Sequence, residues 1–303
     1  MKNDLAIAVC HFNWCKFVSP VRNLNRFLLQ TEKEQLPLFG LEMSLDDNFE
    51  TKNRPNWKQI RVEQKNIAFQ RESCINLIEK FIPTQFTKIA WIDPDLHFTN
   101  PNWYEDASKK LDKYKLIQLF EAYVATDRYG RNIGEIPSMM KMGGPTKKVP
   151  GRVHIGQPGA AWAARREFWK YGGLYHYSVM GGGDTALIYS LYDEIQDLSI
   201  MEMSGIFDIN HSRLYRNWKD PLTQYVNKEV SYINGKIVHE WHGDRPGRNY
   251  GKRYDLIKNI NRDDCLRVGE NGITEIVNVG QETYGKILEY FKNRNEDGII
   301  YIN

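Results

Sequence analysis

The sequence predicts an α/β fold on a mostly parallel central sheet: one large domain over residues 1–257, with a small helical C-terminal appendage at 258–303. Three observations lead there. Strand-like and helix-like stretches alternate from Leu5 to Phe120, the order that builds a parallel sheet. The strand-like stretches are short continuous apolar runs, as in strands covered on both faces. The run Ile89-Ala90-Trp91-Ile92 ends in Asp93-Pro94-Asp95, which sets two carboxylates at the carboxyl end of a central strand. In an open α/β sheet that edge is where ligands bind.

The elements follow in order. Residues 5–10 read as a first buried strand, with His11 and Asn13 in the loop at its end. Pro20 opens a helix, and Leu24, Phe27 and Leu28 recur at helical spacing within 21–30. Residues 36–43 and 57–62 are further strands, the first made irregular by Pro37 and Gly40. Residues 65–81 read as one helix: Ile67, Ala68, Cys74, Ile75, Leu77, Ile78 and Phe81 trace a broad apolar face, and Pro83 ends it. The strand at 88–92 stops before Pro94, which cannot donate to a ladder. An amphipathic helix at 101–114 and a strand at 115–120 come next. Residues 127–158 mix Gly, Pro and basic side chains and predict one long mobile loop. A small-residue strand covers 159–164, and 165–170 begin a helix. Gly181-Gly182-Gly183 then precedes Asp184, an N-cap or first-turn acid of a helix over 186–192. Short helices at 255–260 and 282–293 close the chain.

Composition narrows the function. Hydrophobic residues make up 41% and charged residues 26% of 303, an ordinary globular mixture. A net charge of +3 is too small to argue for nucleic acid by itself. The distribution is more informative: Lys141, Lys147, Lys148 and Arg152 share one loop, and Arg245, Arg248, Lys252 and Arg253 share another. Cys10, Cys15, Cys74 and Cys265 form no Cys-x-x-Cys pair, which argues against a zinc site and for free thiols in a reducing compartment. The first apolar run is too short for a signal peptide or a membrane span, so a cytoplasmic protein with no membrane partner is expected. Neither Gly-x-Gly-x-x-Gly after the first strand nor a phosphate-binding P-loop occurs, so a nucleotide must be held some other way.

Three motifs carry chemistry. Asp93 and Asp95 repel unless a cation lies between them, and a hard divalent ion carrying a diphosphate meets that need. The glycine triplet lets backbone approach a ligand closely and leaves Asp184 beside it. His239 and His242, three apart and followed by a basic glycine-rich run, are spaced to share a metal. Read singly, each has a plain structural explanation as a loop, a cap or a core histidine.

In this order the motifs resemble the metal-dependent GT-A glycosyltransferases, which use nucleotide-sugar donors, and in particular the β-1,4-galactosyltransferase type of core. Phe69-Gln70-Arg71, with Asn76 after it, takes the place of that core's Phe-x-Arg helix. Gly159-Ala160-Ala161 and Gly182-Gly183-Asp184 take the places of its small-residue strand and its Gly-Gly-acid loop. His239-x-x-His242 replaces its Met-x-x-His element, and the acidic run after Gly-Gly is reduced to Asp184. The resemblance implies a Rossmann-like GT-A domain and a donor of the UDP-sugar class. It implies Asp93, Asp95, His239 and His242 around Mn²⁺ (or Mg²⁺), and Asp184 as general base of an inverting transfer. It also implies donor contacts from His11, Asn13, Phe69, Arg71, Asp93, Gly182, Gly183, Arg245 and Arg248. The histidine-rich tail further resembles phage glycosyltransferases related to the base J glucosyltransferase of kinetoplastids, which glucosylates hydroxymethyluracil in DNA. That resemblance implies duplex DNA carrying hydroxymethyl pyrimidines as acceptor, and the host cytoplasm as location for a phage-encoded chain. Lys147, Lys148, Arg152 and Trp218 would then meet the acceptor, with Tyr129, Tyr175 and Tyr177 as further stacking candidates. A glycan, lipid-linked sugar or protein acceptor, and a non-catalytic nucleotide-sugar-binding module, remain open as alternatives.

Overall fold

The computed structural model describes residues 4–51, 54–144, 156–192, 213–249 and 252–298. Strands β1 (Leu5–Phe12), β2 (Leu38–Ser44), β3 (Trp57–Arg61) and β4 (Lys88–Ile92) alternate with helices α1 (Val18–Lys33) and α2 (Arg71–Glu79). Next come β5 (Leu96–Phe98), α3 (Trp103–Leu111), β6 (Leu116–Gln118), β7 (Ala122–Thr126), β8 (Asn132–Pro137) and β9 (Ala161–Arg165). The remainder is α4 (Gly183–Leu191), α5 (Arg213–Val226), β10 (Val230–Tyr232), β11 (Lys236–His239), β12 (Leu266–Val268), β13 (Thr274–Ile276) and α6 (Gln281–Asn293), apart from short helical turns.

The main sheet has seven strands in the order β10-β6-β9-β4-β1-β2-β3, all parallel except β9, which runs against both of its neighbours. The expected α/β class with a mostly parallel sheet is therefore what the chain adopts. Strand β1 shows why its composition is continuous rather than alternating. Leu5, Ile7 and Val9 join the core under α1 and α3, and Ala6, Ala8 and Cys10 join the core under α2, α4 and α5. Both faces are covered, so both sets of positions are apolar.

Several expectations need correction. The helix read over 65–81 is confined to Arg71–Glu79, after a single helical turn at Gln64–Asn66. Phe69 lies in the extended link between them, its N–H bonded to Val179 O at 2.8 Å. The apolar spacing was real, because Ile67 and Ala68 are buried, but tertiary contacts hold them rather than a helical face. The span 127–158 is not one loop, since β8 lies within it and pairs antiparallel with β7. Residues 255–260 form no helix of that span; a short helical turn at Arg253–Leu256 overlaps only its start. The C-terminal stretch holds the expected helix and also the β12–β13 hairpin.

A second, four-stranded sheet, β5-β11-β7-β8, sits beside the carboxyl end of β4. Its strands are three to six residues long, too short to leave a periodic signal in sequence. No helix among the described residues is long and apolar enough to cross a membrane.

Candidate active site

The site forms where the two sheets meet. Strand β4 ends at Ile92, and Asp93 N–H bonds to Ala160 O at 3.0 Å, which fixes the turn through Pro94. Strand β5 begins immediately after Asp95 and pairs antiparallel with β11, so Leu96 faces His239 in register. The Glu240 N–H donates to Asp95 O at 2.8 Å. Backbone pairing alone thus sets Asp95 beside His239, although they are far apart in sequence.

The side chains converge accordingly. Asp95 Oδ2 lies 2.9 Å from His242 Nε2 and 3.3 Å from His239 Nε2, and the two imidazole nitrogens are 3.2 Å apart. All three residues offer a ligand atom within 4.8 Å of the others. Asp95 Oδ1 is buried with no hydrogen-bond partner. Two imidazole nitrogens that face each other need a proton or a cation between them. Two imidazoles, one carboxylate and an unpartnered buried oxygen fit a divalent cation, and suit Mn²⁺ better than Mg²⁺. Burial would raise Asp95, but His239 and His242 outweigh it and hold its carboxyl well below the usual range.

Asp93 does not join that cluster. Its Oδ1 accepts from Arg71 Nε at 2.6 Å, and Arg71 Nη1 reaches Asp184 Oδ1 at 2.9 Å and Glu72 Oε1 at 3.4 Å. One guanidinium therefore serves three carboxylates. Burial pushes Asp93 and Glu72 up, each to about 7, against the pull of Arg71 and with help from neighbouring acids. Arg71 itself is held well above its ordinary value, because Asp184, Asp93 and Glu72 outweigh its desolvation.

Arg71 and Asp93 also separate two compartments. A cavity of ≈ 200 Å³ has His11, Trp14, Phe69, Asp95 and His242 in its walls, along with Phe291, Arg294 and Glu296 from the C-terminal segment. A second space of ≈ 520 Å³ is lined by Gly159, Gly181 to Asp184, Tyr123, Arg248, Arg253 and Tyr254. In the first, His11 is bonded to Glu50, and Asn13 has its amide engaged at both ends by Phe17. Asn13 thus holds the loop into α1 rather than presenting a free amide edge. Phe69 is flanked by the guanidinium groups of Arg253, 5.2 Å from its centroid, and Arg294, 5.0 Å away.

The glycine triplet serves the protein's own side chains. Gly181 and Gly182 have φ of 83° and 92°, in the left-handed region. A Cβ on Gly183 would lie 2.4 Å from the Glu72 carboxyl, and one on Gly181 would lie 2.7 Å from Arg253 Nη2. The cap of α4 is Gly182, and Asp184 sits in its first turn. Asp184 Oδ2 faces Gly159, where a Cβ would come within 2.5 Å.

Solved structures show a distant likeness to this chain, although no protein-family model matches it and no curated protein sequence matches it. The catalytic domain of Drosophila β1,4-galactosyltransferase 7, in complex with xylobiose, is 13% identical over 92% of this chain and 96% of its own, with a TM-score of 0.41. S. aureus TarS 1–349 in complex with UDP-GlcNAc is 11% identical over 96% of this chain and 72% of its own, with a TM-score of 0.44. The 4-diphosphocytidyl-2C-methyl-D-erythritol synthase of Anaerococcus prevotii is 9% identical over 95% and 99%, with a TM-score of 0.35. At these values the chemistry has to be read from the chain's own side chains.

The remaining candidates separate by position. Trp218 is 8% exposed, donates Nε1–H to Gly173 O at 3.0 Å and packs on Tyr175 and Tyr215. It is a core residue and is removed from the acceptor contacts, as is Tyr175. Lys147, Lys148 and Arg152 lie outside the described residues, as does the side chain of Arg245. Arg248 points at the histidine pair, its Nη2 3.0 Å from His242 Nε2. Sequence reasoning missed Glu72, Phe291, Arg294 and Glu296. The signal for the last two was indirect: Gly243 and Gly247 have no room for a side chain because residues 294–296 pass against them.

Proposed function

We propose that the chain is a metal-dependent glycosyltransferase that moves a sugar from a nucleotide-sugar donor, of the UDP-sugar class, to a hydroxyl acceptor. The observation that carries this reading is the pairing of a cation triad with an arginine-held carboxylate, Asp184, on either side of Arg71 and Asp93. A bound Mn²⁺ would act as a Lewis acid on the departing diphosphate, held by Asp95, His239 and His242. The walls around Phe69 and Arg294 would bind the nucleotide. Arg71 orients Asp184 through Oδ1 and leaves Oδ2 over Gly159, in the second compartment, where the acceptor would enter. The acceptor oxygen forms its bond to the anomeric carbon as the bond from that carbon to the diphosphate oxygen breaks. The electron pair leaves with the nucleoside diphosphate, and the acceptor's proton passes to Asp184, which makes the transfer inverting.

For the acceptor we favour a hydroxymethylated pyrimidine in DNA. The β7–β8 hairpin borders the second compartment through Tyr123 and Ile136, and its tip carries Arg128, Arg131 and the exposed ring of Tyr129. Guanidinium groups beside an exposed ring suit a phosphate backbone and an unstacked base. The free thiols support a reducing, cytoplasmic setting.

The test is hydrolysis and transfer across a panel of UDP- and GDP-sugars with Mn²⁺, with and without hydroxymethylated DNA. Donor turnover should stop in chelator and rise with that DNA alone. Asp184→Asn should keep donor binding and lose about 10²–10⁴-fold in transfer. Full turnover in chelator refutes the cation, stimulation by a glycan instead of DNA refutes the acceptor, and donor binding without any turnover leaves a binding module.

A further inference from the structure

We infer that Glu296 is a positioning residue of the cation site: it fixes His242 in the tautomer whose Nε2 carries the lone pair. The inference rests on the cation site proposed above, and it goes beyond it by assigning work to a segment with no motif.

The geometry around His242 is one-sided. Nε2 faces Asp95 Oδ2 at 2.9 Å, His239 Nε2 at 3.2 Å and Arg248 Nη2 at 3.0 Å. To hold a cation beside Asp95 Oδ2 and His239 Nε2, this nitrogen has to present its lone pair, and Arg248, which only donates, faces the same nitrogen. The ring proton then belongs to Nδ1. That nitrogen is buried and makes no well-aligned hydrogen bond, and the acceptor facing it is Glu296 Oε1 at 3.3 Å. A carboxylate behind a ligating imidazole sets both its tautomer and its orientation.

Glu296 cannot easily leave. It is 9% exposed, and Arg294 grips Oε1 through Nε at 2.8 Å and through Nη2. On one side a Cβ on Gly243 would come within 2.7 Å of Glu296 Cα, and one on Gly247 within 2.6 Å of Arg294 O. On the other side Asp297 accepts from the N–H groups of Val18, at 2.9 Å, and Ser19, at 2.7 Å, capping the start of α1. The strap over residues 294–297 is thus clamped between the loop that carries His242 and the helix that follows β1.

Two readouts test this on the full chain. With metal removed by chelation, the long-range ¹H–¹⁵N spectrum should show a proton on His242 Nδ1, and Glu296→Ala should remove it and leave the Nε2–H form. Calorimetry with Mn²⁺ alone should show affinity falling about 10- to 100-fold in Glu296→Ala. Glu296→Gln, which keeps the shape and an acceptor oxygen, should fall between the two; it carries the test if the alanine variant does not fold. An Nε2–H tautomer in the wild type, or wild-type Mn²⁺ affinity in folded variants, overturns the inference. Asp95→Ala separates the two ideas: if it still binds Mn²⁺ normally, the cation site itself is wrong.

Discussion

Arg71 shows how one residue can organise a site that its neighbours would otherwise destabilise. Asp93, Glu72 and Asp184 would repel one another in a buried space, and the guanidinium among them keeps all three in place. Asp95, His239 and His242 stood out in sequence through the order of their motifs, since each motif alone has a plain structural explanation, and the structure brings these three together while Asp93 turns to Arg71. Glu72 and Glu296 did not stand out. The first reads as an ordinary first-turn helix acid and the second as part of a charged tail. Away from the site, His176 gives a pH prediction. Burial, with Lys80 nearby, pushes its imidazole down to about 4 from 6.5, and its Nδ1 is buried without a partner. The unfolded chain therefore binds a proton that the folded chain refuses between these values. Stability should be unaffected above pH 6.5 and fall as the pH drops toward 4, by up to about 3 kcal/mol. Urea midpoints against pH for the wild type and His176→Asn would show it; equal slopes would exclude His176 as the cause.

At the scale of elements, the parallel sheet was readable and the second sheet was not. Buried strands such as 88–92 leave continuous apolar runs, whereas β5 and β11, of three and four residues, leave none. Yet that second sheet makes the site, because the β5–β11 register is what brings His239 to Asp95. The helix assigned to 65–81 illustrates the opposite error. Periodicity extended it past its true start at Arg71, because apolar spacing cannot tell a helix face from an extended link that is buried by other elements. The register can be tested where it enters the site. Glu240→Pro removes the N–H that bonds to Asp95 O at 2.8 Å, just beyond the last residue of β11. The variant should keep its far-ultraviolet dichroism, since the seven-stranded sheet is untouched, and lose most of its Mn²⁺ affinity by calorimetry. Unchanged affinity would mean that the strand pairing does not position Asp95.

At the scale of the whole molecule, the question is how far residues 258–298 belong to the fold that precedes them. In α6, Ile287, Tyr290 and Phe291 are buried in the same cluster as Ala6, Cys74 and Ile75. From the β12–β13 hairpin, Thr274 O accepts from Gln70 Nε2 at 2.8 Å, and Thr274 Oγ1 lies 2.9 Å from Ser73 Oγ, at the start of the helix that carries Arg71. Burial of Ile287 and Phe291 alone is worth about 3–6 kcal/mol. That is a large share of the roughly 5–15 kcal/mol by which a domain is usually stable. The full chain should therefore unfold in one thermal transition, with the C-terminal segment leaving together with the sheet. A chain ending at residue 257 should melt at a markedly lower temperature, and it should bind Mn²⁺ about 10- to 100-fold more weakly even where it stays folded, because His242 has lost Glu296. Calorimetric melting of both chains, with Mn²⁺ titrated into each, distinguishes the possibilities. Should the shortened chain keep both its melting temperature and its Mn²⁺ affinity, residues 258–298 would be a dispensable extension, and Glu296 would not be what holds His242 in place.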